Sequence, residues 1–270
     1  MSLADAKFGG SIPQLYEHYL VPLIFQPYAD DLAARVARCG PARVLEVAAG
    51  TGVVTRALAR LLPASAEIVA TDLNQAMLDQ AAATGTARPV RWQQADAMRL
   101  PFPDGAFDTV VCQFGAMFFP DRAHAYAEAR RVLAAGGMFM FNVWDRIEDN
   151  EFAAVVTDTL AQAFPADPPR FLARTPHGYH DVAVIREDLA RGGFTVAPTC
   201  TTLAARSRAD TPDEVAIAYC QGTPLSNEIE AQGTAGLAEA TALAAAAIRR
   251  RFGDGPVEGK IQAHVIAVAR

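Results

Sequence analysis

Three carboxylates stand at the ends of successive apolar runs: Glu46 in Val44-Leu45-Glu46-Val47, Asp72 after Ala66–Thr71, and Asp96 after Val90–Gln94. A carboxylate inside a run as apolar as the first is costly to bury without a partner. Glu46 is therefore either a satisfied structural acid or an acid near a bound cationic ligand. Asp72 lies twenty residues beyond Gly52. An acid at the tip of the second strand of a βαβ unit can accept hydrogen bonds from both hydroxyls of a ribose, although Asp also caps helices. Asp96 can accept from an exocyclic amine while the next backbone N–H, that of Ala97, donates to a ring nitrogen. Alone it would read as a solvated loop residue; three acids at three strand ends point instead to a nucleotide-like ligand.

The elements that must position these groups follow from the same stretches. Arg43–Ala48 is short, apolar and β-branched, as in a strand buried on both faces. Gly50-Thr51-Gly52 permits a sharp turn, and Val53–Leu62 has the apolar spacing of a helix. A strand, a glycine turn and a helix N-terminus offer free amides to a nucleotide or a carboxylate. Further strands are expected at Ala66–Thr71, Val90–Gln94, Phe107–Gln113, Met138–Trp144, Phe194–Leu203 and Gly259–Ala269. Helices are expected after Asn74 (through Met77), at Arg122–Ala134 with a stop at Gly136-Gly137, at Glu151–Phe164, and at Asp181–Arg191. Before the first strand, Asp30–Cys39 reads as a helix. Ser11–Phe25 carries Tyr16, Tyr19 and Phe25, with Pro13 and Pro22 limiting helix length; these aromatics are either core packing or a lid over the ligand. The glycine pattern bears on the cofactor. A dinucleotide fingerprint wants a small residue where Thr55 stands and a glycine where Ala48 stands, which weakens nicotinamide binding.

Composition narrows the function classes. The 270 residues are 51% hydrophobic, enough for a full core and an insertion. A net charge of −6 with no basic patch argues against nucleic acid or an anionic membrane. Four scattered cysteines lack CxxC spacing, which fits a reducing cytosol and no structural zinc. Met1–Asp5 lacks the blocks of a signal peptide, and no apolar run reaches membrane-spanning length. A cytoplasmic chain is expected.

Val44-Leu45-Glu46-Val47-Ala48-Ala49-Gly50-Thr51-Gly52, then Thr71-Asp72-Leu73-Asn74, then Ala95-Asp96-Ala97-Met98-Arg99-Leu100-Pro101-Phe102-Pro103-Asp104-Gly105-Ala106-Phe107-Asp108 together resemble the class I S-adenosylmethionine-dependent methyltransferases. The likeness spans roughly residues 40–145 and is strongest to the type 11 group, which includes ubiquinone and menaquinone methylases. Ala48 departs from the commoner Gly. The resemblance implies an α/β, Rossmann-like sheet of seven mostly parallel strands with an antiparallel last strand, helices on both faces and a helical cap insertion. It divides the chain into an N-terminal helical lid segment (1–40), a core (41–204 and 257–270) and a cap (205–256). It implies S-adenosyl-L-methionine as cofactor and S-adenosyl-L-homocysteine as product. Glu46, Ala48 and the Ala49–Gly52 backbone, Thr51 included, would face the methionine moiety. Asp72 would hold the ribose, Leu73 would pack on the adenine, and Asp96 with the Ala97 amide would read its edge; Met77 and Met98 belong to the same expected cofactor-binding set. Gln113 and Phe114 would sit beside the cofactor's amino group, and Gly115 and Met117 near the transferred methyl, with Phe118, Tyr16 and Tyr19 toward the acceptor. Phe119 reads as loop packing.

The acceptor side is read from residues alone. His177, Tyr179 and His180 lie together in Pro176-His177-Gly178-Tyr179-His180, and any of them could take a proton from an acceptor; Glu17 and His18 are rivals. No third ligand accompanies the histidines, so no metal is expected. Asp167-Pro168-Pro169-Arg170 imitates an amino-methylase motif but lies in a proline-rich loop and lacks its aromatic. The expected function is methyl transfer to a small-molecule acceptor (quinone, phenolic, polyketide-like or amine), with a homodimer as the assembly to test. The alternatives are an NAD(P)-dependent oxidoreductase or a non-catalytic cofactor-binding protein on the same fold.

Overall fold

The computed structural model describes residues 8–233 and 236–270; the reading of Met1–Asp5 and the start of the lid segment lie outside them. The chain alternates strands β1 (Arg43–Val47), β2 (Glu67–Asp72), β3 (Arg91–Gln94), β4 (Phe107–Gln113) and β5 (Leu133–Trp144) with helices, then adds β6 (Thr199–Ala209) and β7 (Val257–Ala269). The seven-stranded sheet has the order β3-β2-β1-β4-β5-β7-β6. β1 pairs in parallel with β2 and β4, and β7 runs antiparallel to both β5 and β6. The chain builds outward from β1 in one direction and then restarts at β4 on its other side. The crevice beyond the carboxyl ends of β1 and β4 is therefore the topological switch point, where open α/β sheets bind ligands.

The central strands read as continuous apolar runs because helices cover both faces. Val44, Leu45, Val110, Val111 and Phe141 are fully buried. α2 (Gln26–Cys39) packs against α3 (Val53–Leu61). Gly52 caps the start of α3; its φ is +84° and its Cβ, if it had one, would lie 2.9 Å from the Trp92 ring and 3.2 Å from Ala81. Only glycine satisfies both the turn and that approach. α4 (Gln75–Thr84) returns the chain to β3, and α5 (Arg122–Val132) lies against α8 (Val182–Arg191).

Several sequence expectations shift. Gly136-Gly137 does not stop a helix. α5 ends at Val132 and β5 begins at once, with the register jumping from Phe107↔Leu133 to Thr109↔Met138. Gly136, at φ +75°, carries this bulge. The sixth strand is Thr199–Ala209 rather than Phe194–Leu203. Phe194 is instead a buried plug, stacked 6.0 Å from Phe139. β6 is the sheet's edge and mostly exposed, so its sequence lacks the apolar run that marks the inner strands. The expected proline-rich loop contains a turn of helix, α7 (Phe171–Arg174), whose Phe171 and Leu172 are buried. After β6, α9 (Pro212–Gln221), α10 (Leu225–Glu230) and α11 (Gly236–Phe252) follow, α11 packing on α9 and on α6 (Glu151–Ala163).

The N-terminal run differs most. The prolines do not interrupt it: a turn of α-helix, α1 (Ile12–Leu15), passes into a π-helix over Tyr16–Phe25 and then into α2. Pro22 sits inside the π stretch. Its i→i+5 winding is wider than roughly 3.6 residues per turn and aligns Tyr16, Leu20, Ile24 and Phe25 on one side.

Candidate active site

The switch-point crevice is a cleft enclosing about 1230 Å³, its open mouth included. One half is built from strand tips. Asp72 is buried at the end of β2, its Oδ2 accepting from the Gly50 N–H at 2.8 Å and its Oδ1 from the Asn74 N–H at 2.8 Å. These bonds aim the carboxylate across the glycine turn. Burial nonetheless raises its pKa above the usual carboxylate value, with the amides of Asn74 and Gly50 opposing. The next residue, Leu73, is 51% exposed and stands on the cleft wall. Asp96 and Ala97 face it from beyond β3, and Asp96 Oδ1 accepts from the Met98 N–H at 2.8 Å.

Ala48 and Phe114, at the tips of β1 and β4, both have positive φ, +55° and +50°. Non-glycine residues hold that conformation at a cost, and such strain gathers where a chain presents groups to a ligand. Between them, Gly115 has no room for a side chain, because a Cβ there would lie 2.5 Å from the Ala48 Cβ and 2.7 Å from Cys112 Sγ. Phe114 stacks on Trp144 with centroids 3.9 Å apart and planes 5° apart. Phe25 packs on Phe114 (5.6 Å), Trp144 (6.0 Å) and Tyr16 (4.8 Å).

Of the sequence-derived cofactor set, the cleft wall holds Ala48, Gly50, Asp72, Leu73, Met77 and Asp96, together with Ala97, Gln113 and Phe114. Tyr16, Gly115, Met117 and Phe118 line it as well, and so does Phe119, correcting its assignment to mere loop packing. Glu46, Ala49, Thr51, Gly52 and Met98 stand behind the wall. Glu46 is 1% exposed, and its Oε2 accepts from Thr55 Oγ1 at 2.5 Å. Burial pushes its pKa up to about 8, with Thr55 and Arg56 opposing. Thr55, which breaks the dinucleotide pattern, is thus the partner of the buried acid. Ala49 donates its N–H to the Thr71 carbonyl at 2.9 Å.

Tyr19 is the first correction on the acceptor side. The wider π winding turns it away from the cleft, where it meets exposed His18 edge-on at 4.5 Å. Glu17 is likewise outside, ion-paired to Arg56 at 2.7 Å. Tyr179 is also withdrawn as a base. It is buried away from the cleft, its hydroxyl donating to Asp188 at 2.9 Å and lying 3.2 Å from the Tyr126 hydroxyl, with the Arg122 guanidinium 4.0 Å over its ring. Burial and Asp188 raise its pKa further from the range of a base. His180 turns back to the His177 carbonyl at 2.9 Å and does not reach the wall. His177 does reach it. Its Nδ1 lies 2.8 Å from the Asp145 carbonyl, which can only accept, so Nδ1 carries the proton and Nε2 the lone pair. Burial pushes its pKa down to about 4, with the Asp145 bond opposing, so the ring is neutral at physiological pH. No group of three or more metal-ligating side chains occurs among the described residues.

The sequence reading missed Trp144, Phe171 and Tyr219, all on the wall, and left Phe25, also on it, between core packing and a lid. Trp144 ends a strand and was in principle findable from the rule that ligands meet strand carboxyl ends. Phe25 required the π-helix, and Tyr219 carries no motif.

This fold and this cleft define a class I, Rossmann-like methyltransferase architecture. Residues 45–141 match the family profile described as a methyltransferase domain, so this segment is a type 11 methyltransferase domain. The chain is 32% identical over 166 residues to a ubiquinone/menaquinone biosynthesis C-methyltransferase of Azotobacter vinelandii, covering 56% of this chain and 65% of that protein. It is 45% identical over 111 residues to a demethylmenaquinone methyltransferase of Thermus thermophilus, covering 40% and 49%. It therefore spans less than two thirds of these curated relatives. Among solved structures, the YcgJ protein of Bacillus subtilis superposes with a TM-score of 0.56 at 21% identity, over 90% of this chain and 98% of that one. A Haemonchus contortus phosphoethanolamine N-methyltransferase, solved with S-adenosylhomocysteine, gives 0.57 at 15%, over 96% and 57%. At these identities the two structures speak for the fold alone. No helix among the described residues is long and apolar enough to cross a membrane.

Proposed function

We propose that the chain transfers a methyl group from S-adenosylmethionine to a small-molecule acceptor held in the inner half of the cleft. The observation that carries this reading is the juxtaposition at the switch point of an amide-anchored carboxylate, Asp72, an exposed apolar residue, Leu73, and a second acid, Asp96. These groups suit a ribose, the face of a purine and its amino edge respectively. The glycine turn leaves room for close approach: a Cβ at Gly50 would meet nothing nearer than 3.9 Å. The residues present fit the cofactor.

When bound, S-adenosylmethionine supplies a methyl carried on a sulfonium, whose positive charge is lost in the transfer. The chain's share is alignment and exclusion of water, since an in-line displacement gains most from fixed geometry. Met117, Phe118 and Trp144 wall the region beyond the β4 tip with apolar surface. His177 Nε2 orients an acceptor hydroxyl by accepting its hydrogen bond, and draws its proton only as the methyl bond forms, because burial disfavours the imidazolium. Thr55, bonded to the buried Glu46 where a small residue would be wanted, and the absence of the dinucleotide glycine pattern weigh against a nicotinamide cofactor.

Ultraviolet cross-linking with methyl-labelled S-adenosylmethionine tests the cofactor. Labelling abolished by S-adenosylhomocysteine and unaffected by NADH is expected; labelling displaced by NADH and not by S-adenosylhomocysteine would move the assignment to an oxidoreductase.

A further inference from the structure

The inner half of the cleft carries information about the acceptor that the family likeness does not. Its walls come from the π-helix (Leu20, Ile24, Phe25), from β4 and β5 (Phe114, Trp144), from α7 (Phe171, Leu172), and from the end of α9 (Tyr219, with Thr223). Among the described residues, the only charged side chains on the whole cleft wall are Asp72 and Asp96, both in the other half. Among the described residues no arginine or lysine stands there to hold a phosphate or carboxylate, and no acid stands there to hold an ammonium. Burying an unpaired ion against such walls is costly, so the inner half selects against a charged acceptor.

Against this apolar background the polar groups can be sorted by whether their bonding is already complete. Asn150 is spent: its Nδ2 reaches the carbonyls of Arg146 (3.1 Å), Asp145 (3.3 Å) and Gln262 (3.3 Å), and its Oδ1 accepts from the Gln262 N–H at 3.0 Å. Thr223 donates to the Tyr219 carbonyl at 2.8 Å and accepts from the Leu225 N–H at 3.2 Å. Two groups are not spent. His177 Nε2 is an acceptor fixed by the Nδ1 bond to Asp145, and the Tyr219 hydroxyl is a donor; neither has a protein partner among the described residues, and neither is sealed away from the cleft. The Asp145 peptide that fixes the imidazole is itself pinned through its carboxylate, by Gln262 Nε2 at 2.7 Å, the Arg146 N–H at 2.8 Å and His264 Nε2 at 3.2 Å.

We propose that His177 Nε2 and the Tyr219 hydroxyl read two polar atoms of an uncharged aromatic acceptor: a hydroxyl that donates to His177 and an oxygen that accepts from Tyr219. Tyr219 is thereby a specificity-determining residue contributed by a helix outside the matched methyltransferase domain. This inference rests on the methyltransferase reading for the other half of the cleft.

The test uses the full-length protein, first shown by calorimetry to bind S-adenosylhomocysteine and then saturated with it. Quenching of tryptophan fluorescence, Trp144 being on the wall, gives the affinities of naphthalene, 1-naphthol, a set of dihydroxynaphthalenes, 1-naphthoate and 1-naphthylmethylammonium. At least one dihydroxynaphthalene should bind about tenfold or more tightly than naphthalene, and both ions should bind more weakly than 1-naphthol. Tyr219→Phe should cost that dihydroxynaphthalene about fivefold, one neutral hydrogen bond's worth, and leave naphthalene unchanged. His177→Leu should remove most of the preference of 1-naphthol over naphthalene. Equal or tighter binding of either ion, no saturable binding of any hydroxylated ring, or an unaltered dihydroxynaphthalene-to-naphthalene ratio in Tyr219→Phe would overturn the proposal. The ratios among the uncharged and charged probes in the unsubstituted protein decide it even where a variant does not fold. Failure to bind S-adenosylhomocysteine at the outset would instead contradict the methyltransferase reading.

Discussion

Glu46 is where residue-scale chemistry and stability meet. Its pKa near 8 in the folded chain lies above the ordinary carboxylate value, so between about pH 4.5 and 8 the folded state holds a proton that the unfolded state has lost. Stability should therefore fall as pH rises through that window and level off above it. Glu46→Gln keeps a partner for Thr55 and removes the titration; thermal melts from pH 5 to 9 should show the decline flattened. An equal decline in the variant would place the titrating group elsewhere. Gly115 gives a second prediction. Gly115→Ala forces a methyl against Ala48 and Cys112 and should destabilise by about 1–3 kcal/mol in denaturant titrations. At this scale the sequence was most informative where a residue type was out of keeping with its surroundings. A carboxylate in an apolar strand, an acid at a strand tip and glycines at a turn each demand a physical reason, and Asp72, Asp96 and Gly50 all reach the cleft. The His177, Tyr179 and His180 cluster was less legible. Only packing decides which of three polar neighbours faces a cavity, and it turned two of them to structural partners.

The N-terminal helical run decides more of the cleft than its composition announces. With α-helical spacing Tyr16 and Tyr19 would share a face, while Phe25 would point elsewhere. The π winding brings Tyr16 and Phe25 together at 4.8 Å and sends Tyr19 to the outside. Tyr16→Ala should accordingly weaken S-adenosylhomocysteine binding by about tenfold, through lost contact beside Gly50, whereas Tyr19→Ala should leave it unchanged. Equal losses would contradict the register. A π-helix has no sequence signature, and prolines here served as poor stop signals. The strand elements divide along the same line. β1, β2 and β4 were legible because burial on two faces demands unbroken apolar runs. β6, exposed at the edge, carries no such constraint and was placed five residues too early at its start.

For the molecule as a whole, the order β3-β2-β1-β4-β5-β7-β6 puts the sequence-distant residues 48, 72, 96 and 114 around one crevice. That convergence follows from strand alternation and could be anticipated. Helices after β6 could be anticipated as well, but not which of their residues line the cleft: Tyr219 shares that wall with Trp144 and His177 only through long-range packing that no local pattern encodes.

The central claim is that the Asp72 side of the crevice is a site for the ribosyl-adenine part of S-adenosylmethionine. Its most direct test is calorimetric titration of the purified chain, and of Asp72→Ala, with S-adenosylmethionine, S-adenosylhomocysteine, NAD and NADH. Micromolar binding of the first two, weakened at least tenfold in Asp72→Ala and without comparable binding of NAD or NADH, is the expected result. Tighter binding of NADH, or binding of S-adenosylhomocysteine that Asp72→Ala leaves unchanged, would contradict it.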